Sequence, residues 1–124
     1  MLNYIGLRIH NLNNTLTLKD GRTLGYAEAG DLKGKPLFLF HGLHSSRLEV
    51  KLFDEEMLAS NIRLISIDRP GMGISTFQEK RKVLDVVADI DALANSLDID
   101  IFSVLGSSSG VKYVLACAYS EYRE

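Results

Sequence analysis

Gly106-Ser107-Ser108-Ser109-Gly110 separates the apolar run Ile101 to Leu105 from a helix-like stretch, Val111 to Tyr119. No other part of the chain constrains the fold as tightly. A G-x-S-x-G sequence between a strand and a helix describes a nucleophile elbow, in which a sharp turn lifts the central serine out of the backbone. Gly106 and Gly110 flank that serine at two residues on either side. A Cβ at either place is expected to collide with the neighbouring strand or helix. The same turn aims the amide of Ser109 and the first turn of the helix at one point, where negative charge is stabilised.

The surrounding pattern alternates strands and helices. Thr15 to Lys19 and Arg22 to Glu28, joined by Asp20-Gly21, read as a hairpin. Leu37 to Phe40, Ile62 to Ile67 and Ile101 to Leu105 are short apolar runs, the mark of strands covered on both faces. Ser46-Arg47-Leu48-Glu49 matches a capping box and predicts a helix to about Ser60, with Leu48 and Leu52 inward. Val83, Val86, Val87, Ile90, Leu93, Ala94 and Leu97 recur at helical spacing, with Asp85, Asp89 and Asn95 on a solvated outer face. Residues 1–14 give no firm pattern, since Ile5, Leu7 and Ile9 alternate before a run of asparagines. The expected fold is an α/β doubly wound, mostly parallel sheet with an N-terminal hairpin, occupying residues 15–124 as one domain.

Bulk properties narrow the function classes. The 124 residues are 46% hydrophobic and 24% charged with a net charge of −2, as for a soluble globular domain. That balance offers no electrostatic footprint for nucleic acid or an anionic membrane. No run approaches the ~18 apolar residues of a membrane span, and the start lacks the layout of a signal peptide, so a cytoplasmic location is expected. Cys117 is the sole cysteine, which rules out an internal disulfide and a thiolate zinc cluster. It is expected to be inert packing on the last helix.

Two further loops follow apolar runs. His41-Gly42-Leu43 ends the strand 37–40, and a glycine there allows the amide of Leu43 to point into the same crevice as that of Ser109. Two such amides make an oxyanion hole, and one donor of this kind is worth roughly 3–4 kcal/mol. The imidazole of His41 reads as structural, and His41-x-x-His44 lacks a third ligand for a metal. Asp68-Arg69-Pro70-Gly71-Met72-Gly73 follows the strand 62–67; it lacks the third glycine of a dinucleotide fingerprint and reads as a rigid turn walling one side of the cleft. No Gly-Lys-Ser/Thr ending makes the serine-glycine cluster a phosphate loop.

The segments Asp20 to Glu28, Leu37 to Glu49 (LFLFHGLHSSRLE), Arg63 to Ser75 (RLISIDRPGMGIS) and Val104 to Ala118 (VLGSSSGVKYVLACA) together resemble an α/β-hydrolase. The similarity is greatest to soluble members related to proline iminopeptidases, haloperoxidase-like esterases and epoxide hydrolases. The resemblance runs in order from about Thr15 to the last residue. It implies Ser108 as nucleophile, Leu43 and Ser109 as oxyanion donors, and Gly42, Gly106 and Gly110 as the glycines shaping loop and elbow. It also implies that the strand 37–40 lies between 62–67 and 101–105, where the strand order reverses and ligands of open α/β sheets bind. Serine rather than aspartate at 108 favours acyl chemistry, with a small-molecule ester or amide as substrate and no metal or organic cofactor.

One departure dominates. In this fold the triad runs Ser, Asp or Glu, His, whereas His10, His41 and His44 all precede Ser108. The chain resembles the N-terminal half of such an enzyme, and by itself is expected to be inactive. Strand 101–105 is then an exposed edge, expected to self-associate or to take a complementary fragment. The alternative is a non-catalytic binding or regulatory module that retains the cleft.

Overall fold

The structure, a computed structural model, describes residues 9–123, and the burial of side chains from 11 to 121. The alternation at Ile5 and Leu7 lies outside the described residues, and Ile9–Leu12 form a 3-10 turn. Among the described residues five strands make one sheet: β1 (Asn14–Thr17), β2 (Thr23–Gly30), β3 (Lys35–Phe40), β4 (Ile62–Ile67) and β5 (Ser103–Gly106). Their spatial order is β1-β2-β4-β3-β5. The hairpin pairs antiparallel, β2 continues antiparallel onto β4, and β4, β3 and β5 are mutually parallel. β3 therefore lies between β4 and β5, at the reversal of strand order.

Period-two alternation along β3 explains the two cores. Phe38 and Phe40 point to one face with Ile65 and Ile67 of β4, where Ile90, Leu93, Tyr113 and Ala116 cover them. Leu39 points to the other face with Leu64, Ala27 and Ala29, under Val50. Phe38 meets Phe102 edge-on at 4.8 Å between centroids, and Phe40 meets Tyr113 at 5.7 Å. Each fully buried phenylalanine contributes roughly 1.5–3 kcal/mol by leaving water. Helix α1 (Asp54–Ala59) lies on the Leu39 face, and α2 (Val86–Ser96) and α3 (Val111–Arg123) lie on the Phe40 face, so the sheet is wound on both sides. Among the described residues no helix is long and apolar enough to cross a membrane.

Four expectations are corrected. The helix foreseen from Ser46 is a 3-10 turn over Arg47–Leu52 followed by the short α1. With three residues per turn, Arg47, Val50 and Phe53 share a face; Arg47 and Val50 are buried, while Leu48 points out and Leu52 is 73% exposed. No capping box forms there, because Ser46 Oγ accepts the Leu48 amide while the Glu49 carboxylate turns back to Gly42 and Ser45. Asp89 is not on a solvated face. It is 3% exposed and takes both Nη atoms of Arg22 at 2.8 and 3.2 Å.

Val83 and Ile101 are the remaining departures. Val83 belongs to a 3-10 turn before α2 and is exposed. Ile101 stands outside β5, which begins at Ser103, and is 87% exposed. Cys117 is half-buried on α3, and burial pushes its thiol up to about 11, which keeps it protonated at neutral pH.

Candidate active site

The elbow occupies the junction of β5 and α3. Ser107 keeps extended backbone and donates its amide to Phe40 O at 3.0 Å, holding the turn to the end of β3. Ser108 then takes φ +52°, in the left-handed region. For a serine this costs roughly 1–2 kcal/mol, and the 3-10 turn Ser108–Gly110 is closed by the Gly110 amide on Ser107 O at 2.9 Å. The side chain of Ser108 is exposed.

The two flanking glycines are sterically required. A Cβ on Gly106 would sit 2.7 Å from Val111 N and Cα. A Cβ on Gly110 would overlap the carbonyl oxygen of Phe40 and lie 3.0 Å from His41 O. Helix start, elbow and the end of β3 are thus in direct backbone contact. Gly42 differs: a Cβ there would meet Ser107 O and Ser108 Cβ at 3.4 Å, ordinary contact distances. Its significance is location, since it brings the loop after β3 against the serine.

That loop is pinned from beneath by charged groups. Arg69, buried at the carboxyl end of β4, donates through Nη2 to Gly42 O at 2.6 Å and to His41 O at 3.1 Å. The same nitrogen lies 3.4 Å from Ser109 Oγ, and the guanidinium carbon stands 5.3 Å from the Tyr113 ring centroid. His41 is fully buried, with Nδ1 2.8 Å from Gly42 O and Nε2 accepting the Arg69 amide at 3.3 Å. These partners assign the proton to Nδ1. Burial holds its pKa below the ordinary value of 6.5, against the opposing hydrogen bond to Gly42.

A peptide unit is planar and trans, so its carbonyl and its amide point in opposite directions. With Gly42 O held inward by Arg69 and His41, the amide of Leu43 points outward. Neither that amide nor the amide of Ser109 donates to another backbone group among the described residues.

Glu49 and Asp68 complete the support. Glu49 Oε2 accepts the Gly42 amide at 3.2 Å and the Ser45 hydroxyl at 2.7 Å. Burial works to raise the Glu49 pKa, but the hydrogen bonds from Ser45 and Gly42 prevail and hold it below the usual value. Asp68, fully buried, accepts the Arg47 amide and Nη1, both at 2.8 Å, and the Ile74 amide at 2.9 Å. Arg47 also reaches Leu12 O and Asn13 Oδ1, tying the start of the chain into the cleft wall.

Ser108, Ser109, Gly42, Gly106 and Gly110 come together at the carboxyl ends of β3 and β5, and Leu43 extends exposed from the same loop. His44 is exposed on that loop at φ +58°, and the side chain of His10 lies outside the described residues. Among the described residues neither His41 nor His44 hydrogen-bonds to Ser108, and no group of three side chains is arranged to hold a metal ion.

No family profile matches the chain. An α/β hydrolase of Sphaerobacter thermophilus superposes with a TM-score of 0.71 over 86% of this chain and 40% of its own, at 28% identity. Proline iminopeptidase of Xanthomonas citri is 30% identical over 109 residues, 84% of this chain and 34% of that protein. The chain belongs to the α/β-hydrolase superfamily. A second relative in sequence, the dihydrolipoyllysine-residue acetyltransferase component of the acetoin cleaving system of Pseudomonas putida, is 37% identical over 91 residues, 73% of this chain. The chain spans only 24% and 34% of these two curated relatives.

Within this α/β-hydrolase framework, Arg69, Asp68, Arg47 and Glu49 are the supporting residues that sequence reasoning missed. A signal was present: Asp68-Arg69 directly ends an apolar strand, where charges are buried unless the chain leaves the sheet at once.

Proposed function

We propose that this chain carries the nucleophile and oxyanion-binding part of a serine hydrolase acting on an ester, amide or related carbonyl. Ser108 is the nucleophile, and the amides of Leu43 and Ser109 bind the developing oxyanion. The observation that carries this reading is the exposed Ser108 at φ +52°, with the loop at Gly42 in contact with it. Backbone strain of this kind persists where surrounding structure enforces it, and it clusters at active sites.

In the reaction, Ser108 Oγ bonds to the substrate carbonyl carbon as its proton passes to a general base. Collapse of the tetrahedral species breaks the bond to the leaving alcohol or amine, which takes up that proton. Water then cleaves the acyl-enzyme and restores Ser108. The base and its orienting carboxylate are supplied by polypeptide other than the 124 residues, because neither His41 nor His44, the histidines whose side chains are described, is placed to serve Ser108. Loss of the base from a serine triad lowers kcat by on the order of 10⁶, so the chain alone turns over negligibly.

A fluorophosphonate probe tests both statements. The 124-residue chain is expected to remain unlabelled. A product translated through the reading frame beyond Glu124 is expected to be labelled at Ser108, and its Ser108→Ala variant is not. Stoichiometric labelling of the short chain overturns the dependence on an outside base. A longer product carrying a downstream acid and histidine but left unlabelled overturns Ser108 as nucleophile. A genuine stop after Glu124 in an expressed protein supports the binding-module alternative.

A further inference from the structure

We propose that Arg69 is a positioning residue that charges the oxyanion site, acting on the amide of Leu43 through the Gly42–Leu43 peptide bond. This inference rests on the role given to that amide above. Arg69 is 3% exposed, and its guanidinium is a fixed positive charge. Among the described residues no carboxylate pairs with it, since Asp68, its neighbour in sequence, is held by Arg47 at 2.8 Å. Its partners are neutral: the carbonyl oxygens of His41 and Gly42, the hydroxyl of Ser109 and the ring of Tyr113. Its Nε is buried with no hydrogen-bond partner. A cation withdrawn from water without a counter-charge costs stability. It becomes favourable when negative charge develops nearby.

The charge converges on one atom. Gly42 O accepts Arg69 Nη2 at 2.6 Å, lies 2.8 Å from the protonated Nδ1 of His41, and accepts the Ser45 amide at 3.3 Å. A carbonyl oxygen has two lone pairs, so these donors saturate it. Resonance shares electrons along the O–C–N atoms of a peptide. Electrons drawn toward Gly42 O leave the Leu43 N–H more positive and a stronger donor, as along any chain of hydrogen bonds.

The preceding peptide shows the same device already in use. Arg69 Nη2 also donates to His41 O at 3.1 Å, and the amide of that peptide, on Gly42, donates to the Glu49 carboxylate at 3.2 Å. Of the two peptides that Arg69 polarises, one faces a resident anion and the other faces the place where an anion forms. The guanidinium reaches the carbonyls of His41 and Gly42 but not that of Leu43. The amide of His44, next in the loop, is therefore an internal comparison.

Base-catalysed hydrogen exchange of the 124-residue chain tests the proposal without a substrate. Hydroxide takes the proton from Leu43 N, and the charge left behind spreads onto Gly42 O. Deuterium oxide then returns a deuteron to the nitrogen, and hydroxide is re-formed. A cation on Gly42 O stabilises that anion. After correction for unstructured-peptide rates, Leu43 is expected to exchange about tenfold faster than His44, the difference between a charged and a neutral hydrogen bond. Arg69→Gln keeps a donor without the charge and is expected to lower the Leu43-to-His44 ratio about tenfold. Arg69→Lys keeps the charge and is expected to stay within about threefold of the parent. A merely structural role would loosen the loop and speed both amides together, the opposite sign at Leu43. Circular dichroism confirms that each variant is folded, and the comparison within the parent needs no variant. Equal rates at Leu43 and His44 in the parent overturn the proposal. So does a ratio unmoved by Arg69→Gln, or one lowered equally by Arg69→Lys. No acyl chemistry enters the measurement, so an unlabelled Ser108 in the longer product would leave its result standing.

Discussion

The carboxyl end of β5 and the outer edge of the same strand are built on opposite principles. At the carboxyl end, around Ser108, the backbone is fixed by charged groups, buried Arg69 on two carbonyls, half-buried Glu49 on an amide, and buried Asp68 on Arg47. Along its outer edge the same strand carries half-buried and exposed apolar side chains with no such fixing among the described residues. Buried ion pairs are a poor way to gain stability but a strict way to define geometry, since removing either partner strands the other. The cleft is thus specified residue by residue, whereas the edge is specified only by shape and alternation. Tolerance to substitution should differ accordingly.

The largest test of that contrast is Asp68→Ala. It strands the Arg47 guanidinium and two amides, and is expected to cost about 3–5 kcal/mol in urea unfolding. Leu105→Ser at the edge is expected to change the stability of the monomer by less than about 0.5 kcal/mol. Comparable losses would show that the cleft is no more tightly specified than the edge.

A smaller effect of opposite sign is expected at the elbow. Ser108→Gly removes the penalty of the left-handed backbone and should stabilise the chain by about 1 kcal/mol. An unchanged or lowered unfolding midpoint would mean that the turn is not strained.

The smallest effect concerns pH. The folded-state pKa of His41 lies below its unfolded value of 6.5, so below that value the unfolded chain binds a proton that the folded chain does not. Stability is therefore expected to fall as pH drops through 6.5 toward the lower folded-state value. In His41→Asn this part of the pH dependence should disappear. Glu49 acts in the same direction at lower pH, because its folded-state pKa lies below the ordinary value of 4.5 and its contribution is lost as pH falls through that lower value. A midpoint that is flat in the parent over the higher interval would place His41 in a solvated environment.

What was legible in the sequence followed from patterns local to a few residues. The three parallel strands declared themselves as apolar runs, and the turn at Asp20-Gly21 by its dipeptide, with Gly21 at φ +89°. The G-x-S-x-G spacing predicted the close packing of Gly106 and Gly110. Charge was the harder quantity to place. Asp89 was assigned to solvent because its helical phase lies beside exposed neighbours, yet its partner Arg22 is 67 residues away. Arg47 was illegible for the same reason, since burial of a charge depends on a distant counter-group that periodicity does not register, whereas Asp68 and Arg69 were marked only by their place directly after an apolar strand. The inward placement of Leu48 and Leu52 failed differently, since a period of 3.6 was applied to a segment that winds with three residues per turn.

Arg69 gives this arrangement a property that the strands alone would not. Its terminal nitrogen reaches the carbonyl of Gly42 on one side and approaches the hydroxyl of Ser109 on the other. The gap between the loop and the elbow is therefore gauged by a single guanidinium acting as a spacer. A lysine at this position would keep the charge but lose the rigid fork, leaving both sides present while freeing their separation to drift.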